Sequence, residues 1–320
     1  MLYYTISFIL LVVAILVYFK LADTYNIIDK PNQRSSHSAI TIRGGGIIFP
    51  IAALLWFFLY GFQQPWMIAG LLAMAVISFL DDVLTLSSKI RIMVHLMAVS
   101  LLFWQLQLFS LPWFLVLFTY VFTIGWINAF NFMDGINGIT VLYSMVSLLT
   151  LYYLDLRLNL SINNDLLILL ILSTFIFSWF NLRKRAKTFA GDVGSVTMAF
   201  LLAYLMMSLI LSTQRPEYIL MFSVYGIDSV ITIVYRLARK ENIFQAHRSH
   251  LYQYVSNELR WPHVSVSLIY ALMQLLINAL IIYLISINLM TIPLAFGLLV
   301  VLTFLYIVIR HQVISTIKRN

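Results

Sequence analysis

Long runs of apolar residues, separated by short polar segments, extend along the whole chain. A transmembrane helix needs about 20 mostly apolar residues, and the pattern predicts about eleven such helices. They lie at 1–19, 44–62, 65–80, 91–109, 112–127, 139–157, 166–180, 194–212, 217–236, 265–288 and 291–310. We therefore expect an all-α, polytopic membrane protein in which residues 1–320 form a single integral-membrane domain.

Basic residues predict the orientation of these helices, because Lys and Arg are enriched in cytoplasmic loops. With the N-terminus outside and the spans alternating, all but two of the 20 Lys and Arg residues fall in inside segments, the exceptions being Arg157 and Arg215. Residues 1–19 carry no charge, whereas a secretory signal peptide begins with a basic region. We interpret them as an uncleaved first span, and we expect the C-terminus to be cytoplasmic.

Composition supports a membrane protein and excludes several classes of site. Hydrophobic residues make up 62% of the chain and charged residues only 10%, whereas a soluble domain carries about 25% charged residues. The net charge of +8 arises in the basic loops, and without a soluble basic domain we do not expect nucleic acid as a partner. The absence of cysteine excludes disulfides, thiolate metal sites and a cysteine nucleophile.

Residues suited to chemistry gather on the predicted inside face. All six His residues lie there, and so do four carboxylates: Asp81, Asp82, Asp134 and Asp192. Pores and carriers more often place polar groups near the bilayer midplane. The one-sided distribution therefore favours a membrane enzyme with a cytoplasmic active site.

Asp81 and Asp82 are adjacent carboxylates directly after an apolar run. Such a pair could be solvated residues at a helix end, or it could be a general-base or metal site. Close carboxylates attract Mg²⁺, a hard cation that prefers oxygen ligands.

A second polar segment, 128–139, has the sequence NAFNFMDGINGI. Asn128 and Asn131 are three residues apart, so a helix places them on one face, and Asp134 follows three residues later. The two glycines after Asp134 allow the backbone to bend or to approach a ligand closely. Polar groups are costly in lipid, so the spacing favours a site over a plain re-entrant turn.

Two glycine-containing motifs are suited to binding phosphate. In AGDVGS, Asp192 lies between two glycines at the start of an apolar run. A helix N-terminus there would bind phosphate, and Asp192 could hold a bridging metal, although a simple helix cap is the alternative. Near the N-terminus, Arg34, His37 and Arg43 precede a triple glycine, which suits either a positively charged flank or an anion clamp.

The last large inside segment contains His247, Arg248 and His250. These are either surface residues or contacts to a nucleotide diphosphate, which Arg binds through paired hydrogen bonds. A zinc site is disfavoured, because the carboxylate and Asn candidates elsewhere suit Mg²⁺ better.

Asp228 lies inside an otherwise apolar run and needs a polar partner. Arg236 lies two helical turns along, so a bridge between the two would be indirect. We expect a structural role for Asp228.

These elements, in this order, resemble the polyprenyl-phosphate N-acetylhexosamine-1-phosphate transferase family over nearly the whole chain. Asp81-Asp82, NAFNFMDGING and GDVGS carry the resemblance. Many members have three consecutive His in the last cytoplasmic loop, where this chain has AHRSHLYQ. Together with PNQRSSH and RGGG near the N-terminus, this departure is similar to the subgroup that starts bacterial O-antigen or capsule repeats.

The resemblance implies an activity and its partners. An N-acetylhexosamine 1-phosphate would pass from a UDP-sugar to undecaprenyl phosphate, with release of UMP, at the cytoplasmic face of the bacterial inner membrane. Mg²⁺ is the implied cofactor, with Mn²⁺ as an alternative, and a homodimer is left open. A small donor such as UDP-GlcNAc, or its QuiNAc or FucNAc relatives, is expected rather than UDP-MurNAc-pentapeptide, because the inside loops are short.

The resemblance also assigns roles to residues. Asp192 and Asn131 would be the metal ligands, and Asp192 joins Asp81 and Asp82 as a catalytic candidate. The substrate-binding candidates are Arg34, His37, Arg43, Asn128, Asp134, Asn137, His247, Arg248 and His250.

Direct attack of the lipid phosphate on the β-phosphorus is the expected mechanism, with Asp81 or Asp82 removing a residual proton, while a covalent aspartyl intermediate stays open. The rival functions are a lipid-linked sugar transporter or flippase, the phospho-MurNAc-pentapeptide translocase of the same family, and a non-catalytic assembly subunit.

Overall fold

The computed structural model describes residues 2–29, 40–84, 86–160, 163–242 and 247–319, and this part of the chain is almost entirely helical. The helices are α1 (Leu2–Thr24), α2 (Ile48–Leu59), α3 (Pro65–Leu84), α4 (Ser88–Gln105), α5 (Trp113–Met133), α6 (Ile139–Leu158), α7 (Asn164–Asn181), α8 (Gly191–Thr213), α9 (Ser223–Ala238), α10 (Leu251–Gln253), α11 (His263–Ser286) and α12 (Ile292–Arg319). Two short strands, β1 (Ile28–Asp29) and β2 (Thr41–Ile42), pair antiparallel. Tighter 3₁₀ turns at Gly45–Ile47 and Pro216–Phe222 lead into α2 and α9.

Helices occupy all eleven regions that the apolar pattern predicts. Within the described ranges, nine helices are long and apolar enough to cross a membrane. The other two predicted spans are the short helix Gly45–Leu59 and α4, whose first turns contain Lys89, Arg91 and His95. The prediction of a multi-pass, helical membrane protein is therefore confirmed.

Helix α8 lies at the centre of the bundle, with α2, α3, α5 and α6 packed around it. In its most apolar stretch 89% of the residues are buried, whereas the corresponding share for α12 is 11%. Small residues let membrane helices approach closely, and a Cβ added to Gly46 would lie 2.3 Å from the Cα of Gly194. The triple glycine therefore packs directly against the GDVGS motif at one end of the bundle.

Backbone hydrogen bonds also join these two motifs. The Ile42 carbonyl accepts the N–H of Phe189 at 2.9 Å, and the Phe189 carbonyl accepts the N–H of Gly45 at 2.9 Å. Ile42 and Thr188 form an isolated parallel bridge. The segment after β2 thus holds the chain that leads into α8.

The span Pro216–Ala238 is broken, since its first seven residues form a 3₁₀ helix before α9 begins. At the junction, Gln274 Oε1 accepts the N–H of Val224 at 3.0 Å, and Gln274 Nε2 donates to the Leu220 carbonyl at 3.4 Å. Lipid offers no hydrogen bonds to such freed backbone groups. A buried side chain on α11 therefore allows the helix to break inside the bundle.

Candidate active site

The candidate site is centred on Asp82, where the end of α3 meets the start of α8. Asp82 Oδ1 accepts the backbone N–H of Asp192 at 3.0 Å, and Oδ2 accepts that of Val193 at 3.1 Å. The first N–H groups of a helix lack partners within the helix and carry partial positive charge. A buried carboxylate from another helix therefore fixes the N-terminus of α8, and Asp192 with it.

Gly191 makes this junction sterically possible. Its φ is +70°, a conformation that other residues adopt only with strain. A Cβ at this position would lie 2.7 Å from Asp82 Oδ2 and 2.8 Å from the backbone nitrogen of Gly44. Glycine is thus required by both backbone conformation and space.

Two arginines accompany three carboxylates at this junction. Arg43 Nε lies 2.7 Å from Asp82 Oδ1, and Arg91 Nη1 lies 2.5 Å from Asp81 Oδ2. The same cations lie farther from Asp192, at 4.0 Å for Arg43 Nη2 and 3.6 Å for Arg91 Nη1. The Asp192 side chain is 22% exposed, against 0% for Asp82. Asp192 is therefore the most accessible of the three carboxylates to a ligand.

Asn131 joins this centre from the last turn of α5. Its Oδ1 accepts a hydrogen bond from Ser195 Oγ at 2.9 Å, and Ser195 lies about one helical turn after Asp192. The Ser195 hydroxyl also lies 3.0 Å from the Gly191 carbonyl. The two predicted metal ligands, Asn131 and Asp192, are thus brought to the same end of α8.

Asp134 directly follows α5, and its side chain, which is largely removed from water, is hydrogen-bonded to a neighbouring hydroxyl. Thr140 donates its hydroxyl to Asp134 Oδ1 at 2.5 Å. Removal from water raises the pKa of Asp134 to about 6, while the hydrogen bond from Thr140 opposes this rise. Asp134 can therefore change its charge close to neutral pH.

The two other Asn candidates have structural contacts. Asn137 is buried, and its Nδ2 donates to the carbonyls of Arg183 at 2.9 Å and Lys184 at 3.4 Å. Asn128 donates to the Ile124 carbonyl of its own helix at 2.8 Å. These contacts position the loops around the site, and the predicted substrate contacts of both residues stay predictions.

The histidine loop, residues 247–253, packs directly on the segment that follows Asn131. Tyr252 donates its hydroxyl to the Phe132 carbonyl at 2.9 Å. The Phe132 ring lies 6.0 Å from that of His247 and 6.3 Å from that of His250, measured between centroids. The structure therefore places the predicted histidines against Phe132, the residue that follows Asn131 in the chain.

Within this loop the histidines differ in their surroundings. His247 Nδ1 lies 2.9 Å from Ser249 Oγ, and burial, followed by the nearby His250, lowers the pKa of His247 to about 4. His250 is buried, and its Nδ1 lies 2.9 Å from Asp228 Oδ1. Arg248 is half-buried between them.

Two predicted site residues stay predictions, and one predicted polar residue has a partner that the sequence did not indicate. Arg34 and His37 lie outside the described residues. Asp228, for which we considered only an indirect bridge to Arg236, contacts His250, while Arg236 Nε lies 3.1 Å from Glu241 Oε2. The cause is the fold, which brings the histidine loop over α9.

Three residues of this region were not among the predicted site residues: Arg91, Ser195 and Thr140. Arg91 had a usable signal, since a basic residue in the first turn of a membrane helix soon after a carboxylate pair is unusual. Ser195 also had a signal, since it closes the AGDVGS motif, whereas Thr140 had none, because Ser and Thr occur throughout the apolar runs.

Comparison with known proteins gives consistent matches. The model of the family described as glycosyl transferase family 4 matches residues 65–210. An undecaprenyl-phosphate alpha-N-acetylglucosaminyl 1-phosphate transferase of Yersinia pestis is 30% identical over 268 residues, covering 74% of this chain and 71% of the relative. The Escherichia coli (strain K12) protein of the same name is 29% identical over 262 residues, covering 74% of this chain and 71% of that protein. A probable undecaprenyl-phosphate N-acetylglucosaminyl 1-phosphate transferase of Bacillus subtilis is 25% identical over 253 residues, covering 73% and 70%.

Proposed function

The chain belongs to glycosyl transferase family 4, and from this premise we propose that it transfers an N-acetylhexosamine 1-phosphate from a UDP-sugar to undecaprenyl phosphate and releases UMP. One observation carries the proposal: Asp82 fixes the start of α8 so that Asp192 lies beside Arg43 and Arg91. The relatives are named for this reaction with N-acetylglucosamine.

The charge distribution suits a reaction between two anions. In the proposed step an oxygen of the lipid phosphate bonds to the β-phosphorus of the donor, and the bond from that phosphorus to the bridging oxygen of UMP breaks. UMP leaves with the electron pair of the broken bond. Arg43 and Arg91, each more than one-third exposed at the side chain, offset the repulsion between the phosphates. A lipid phosphate has a second pKa of about 6, so positioning matters more than a strong base.

The contacts of Asp81 and Asp82 favour a positioning role for both carboxylates over a role as general base. Asp82 accepts two backbone N–H groups and pairs with Arg43, while Asp81 pairs with Arg91 and accepts the N–H of Leu86 at 2.6 Å. Both carboxylates are thus fully engaged by donors that belong to the fold itself. We therefore favour direct attack in which these two residues keep the arginines and α8 in place.

We further propose Mg²⁺ as the cofactor, with Asp192 and Asn131 as its protein ligands. No group of three or more His, Asp or Glu side chains in the described part of the chain is arranged to hold a metal ion. The oxygen donors present nevertheless fit Mg²⁺, which usually binds one or two carboxylates together with water and substrate phosphates. When bound, the ion would neutralise the charge that develops on the diphosphate.

The proposed site faces the cytoplasm, with eleven spans and the N-terminus outside. The positions of the basic residues support this orientation, although α2 is short for a span. A fluorescent reporter that folds only in the cytosol, fused to the C-terminus, should fluoresce. Activity of an exclusively periplasmic reporter at the same place would mean that the number of spans is wrong by an odd number.

UMP release by the purified protein tests the proposed function. Undecaprenyl phosphate and equal concentrations of UDP-GlcNAc, its deoxy relatives and UDP-MurNAc-pentapeptide would be supplied in detergent. We expect UMP from a simple UDP-N-acetylhexosamine only when the lipid phosphate is present. Lipid movement across vesicles without UMP release would instead support a flippase, and reaction with the pentapeptide donor alone would place the chain in the translocase branch.

A further inference from the structure

Asp228 on α9 is a buried carboxylate whose two oxygens accept hydrogen bonds from residues on three other elements. Oδ2 accepts the hydroxyl of Tyr270 at 2.6 Å, and Oδ1 accepts that of Tyr306 at 3.1 Å. His250 Nδ1 lies 2.9 Å from Oδ1, and the N–H of Leu251 donates to Oδ1 at 3.4 Å. A buried charge is costly unless it is paired and hydrogen-bonded. So complete a set of donors indicates a specific role for this carboxylate.

His250 is held by this carboxylate at one nitrogen only. Its side chain is 2% exposed, and Nε2 has no hydrogen-bond partner among residues 2–29, 40–84, 86–160, 163–242 and 247–319. A buried polar atom without a partner is unfavourable, and such atoms are rare enough to require an explanation. A ligand that occupies the site would supply the partner.

The position of His250 is consistent with that ligand being a substrate. Its ring lies 6.3 Å from that of Phe132, the residue directly after Asn131. A Cβ on Gly135 would lie 2.2 Å from the Tyr252 hydroxyl, so the histidine loop and the loop after α5 are in tight contact. His250 therefore lies against the segment of chain that carries Asn131 and Asp134.

The last helix, α12, stabilises the same loop. Arg310 Nη2 donates to the Ser249 carbonyl at 2.7 Å, and Nη1 donates to Thr232 Oγ1 at 3.2 Å and to the Tyr306 hydroxyl at 3.1 Å. These residues lie beyond the segment 65–210 that matches the family model. The orientation of His250 thus depends on a separate part of the chain from the carboxylate centre.

We propose that Asp228 is a positioning residue that keeps the proton of His250 on Nδ1, so that Nε2 accepts a hydrogen bond from a hydroxyl or N–H group of the UDP-sugar. A neutral imidazole with its proton on Nδ1 is an acceptor at Nε2. Ionised phosphates are acceptors as well, whereas the uridine and the N-acetyl sugar carry hydroxyl and N–H donors. This inference rests on the proposed function and adds Asp228 as the residue that orients His250 toward the donor substrate.

A double-mutant cycle tests the coupling between the two residues. Asp228→Asn, His250→Ala and the double variant would be assayed for UMP release with each substrate varied in turn. Each single change should raise the KM for the UDP-sugar by about tenfold and leave the KM for undecaprenyl phosphate within about twofold. The double variant should be no worse than His250→Ala, because Asp228 acts through His250. Losses that multiply, or equal shifts in both KM values, would overturn the proposal.

A second pair of variants tests which nitrogen contacts the substrate and leaves Asp228 unchanged. His250→Gln places an amide group near the position of Nε2, whereas His250→Asn places one near Nδ1. The Gln variant should keep the KM for the UDP-sugar closer to wild type, and an Asn variant that performs as well or better would contradict the proposal.

Asp165→Asn is a matched control for the Asp228 change. Asp165 also accepts a tyrosine hydroxyl, that of Tyr4 at 2.5 Å. It lies in the first turn of α7, at the opposite end of that helix from Asn181. The Asp165→Asn substitution should therefore leave both KM values unchanged. Wild-type protein measured in parallel separates the two claims. If it releases no UMP the proposed function fails, whereas an active wild type with an uncoupled cycle refutes only the role of Asp228.

Discussion

The carboxylate centre around Asp82 and the network around Asp228 use the same residue types in opposite ways. In the carboxylate centre, the side chains of Arg43 and Arg91 are 37% and 36% exposed, and both lie within 4.0 Å of the part-exposed Asp192. In the Asp228 network, Asp228 has 0% and His250 2% side-chain exposure. The first arrangement leaves charge accessible to a ligand, while the second uses buried hydrogen bonds to orient one ring.

This contrast predicts different consequences of mutation. Changes in the carboxylate centre should mainly lower turnover, because the charges there act on the reacting phosphates. Changes in the Asp228 network should mainly weaken binding of the UDP-sugar, because the charge of Asp228 is shielded from solvent and acts through His250.

Asp192→Asn should produce the largest effect. The substitution keeps the size of the side chain and removes its charge, and we expect kcat to fall by at least about 10²-fold, as for the loss of other groups that stabilise charge. Steady-state UMP release by protein purified to the same folded fraction measures it. Near-normal turnover of a correctly inserted variant would show that the charge of Asp192 is not required for the reaction.

Gly191→Ala should lower activity by about tenfold, because small displacements of positioned groups are costly. Its added Cβ would meet Asp82 Oδ2 at 2.7 Å and push Asp82 away from the start of α8. Gly61→Ala is the matched control, since Gly61 has a similar φ of +84° but nothing within 4 Å of an added Cβ.

The two glycine variants together separate strain from displacement. Both should lose stability from backbone strain, by about 1–3 kcal/mol, but only Gly191→Ala should lose activity per folded molecule. Equal activities would show that the contact between Gly191 and Asp82 does not matter for the reaction.

Thr140→Val should have the smallest effect and should appear only as a change in pH dependence. The Thr140 hydroxyl lowers the pKa of Asp134, which burial raises to about 6, so its removal should raise this pKa further. If ionised Asp134 contacts the donor, activity falls as the pH drops through the pKa, and the acidic limb should move to higher pH by up to about one unit.

Activity of the Thr140 variant at pH 8 should be close to normal, because Asp134 is then ionised in both proteins. Thr174→Val is the control, since Thr174 is also buried but donates to the Leu170 carbonyl of its own helix. An unshifted acidic limb would mean that another group sets the pH dependence.

The two regions also differ in how far the sequence could predict them. The carboxylate centre is built from contiguous motifs, so Asp81-Asp82, Asn131 and Asp192 were recognisable before the fold was known. The pairing of Arg91 with Asp81 was not predicted, because the two residues lie ten apart on different helices. No regular helix or strand spacing relates such positions. Two residues on the same helix face need not have the same role. Asn128 donates to a backbone carbonyl of its own helix, while Asn131 contacts Ser195.

The Asp228 network could not be predicted, because His250 lies in a polar loop and the other members occur singly in separate apolar runs. Asp228 is 22 residues from His250, 42 from Tyr270 and 78 from Tyr306 in the chain. Apolar periodicity predicted that the helices exist but not how they pack. The 3₁₀ segment Pro216–Phe222 was not predicted for the same reason, because it depends on a hydrogen bond from Gln274 on α11.

The fate of the β-phosphorus tests the central claim most directly. Purified protein would be supplied with undecaprenyl phosphate and UDP-GlcNAc labelled with ³²P at the β-position, and the lipid and aqueous phases would be separated. We expect the label to move into the lipid phase, in equal amount to the UMP released, and Asp192→Asn to abolish the transfer. Label retained in water as UDP, with unlabelled sugar on the lipid, would show transfer of the sugar alone and would contradict the account.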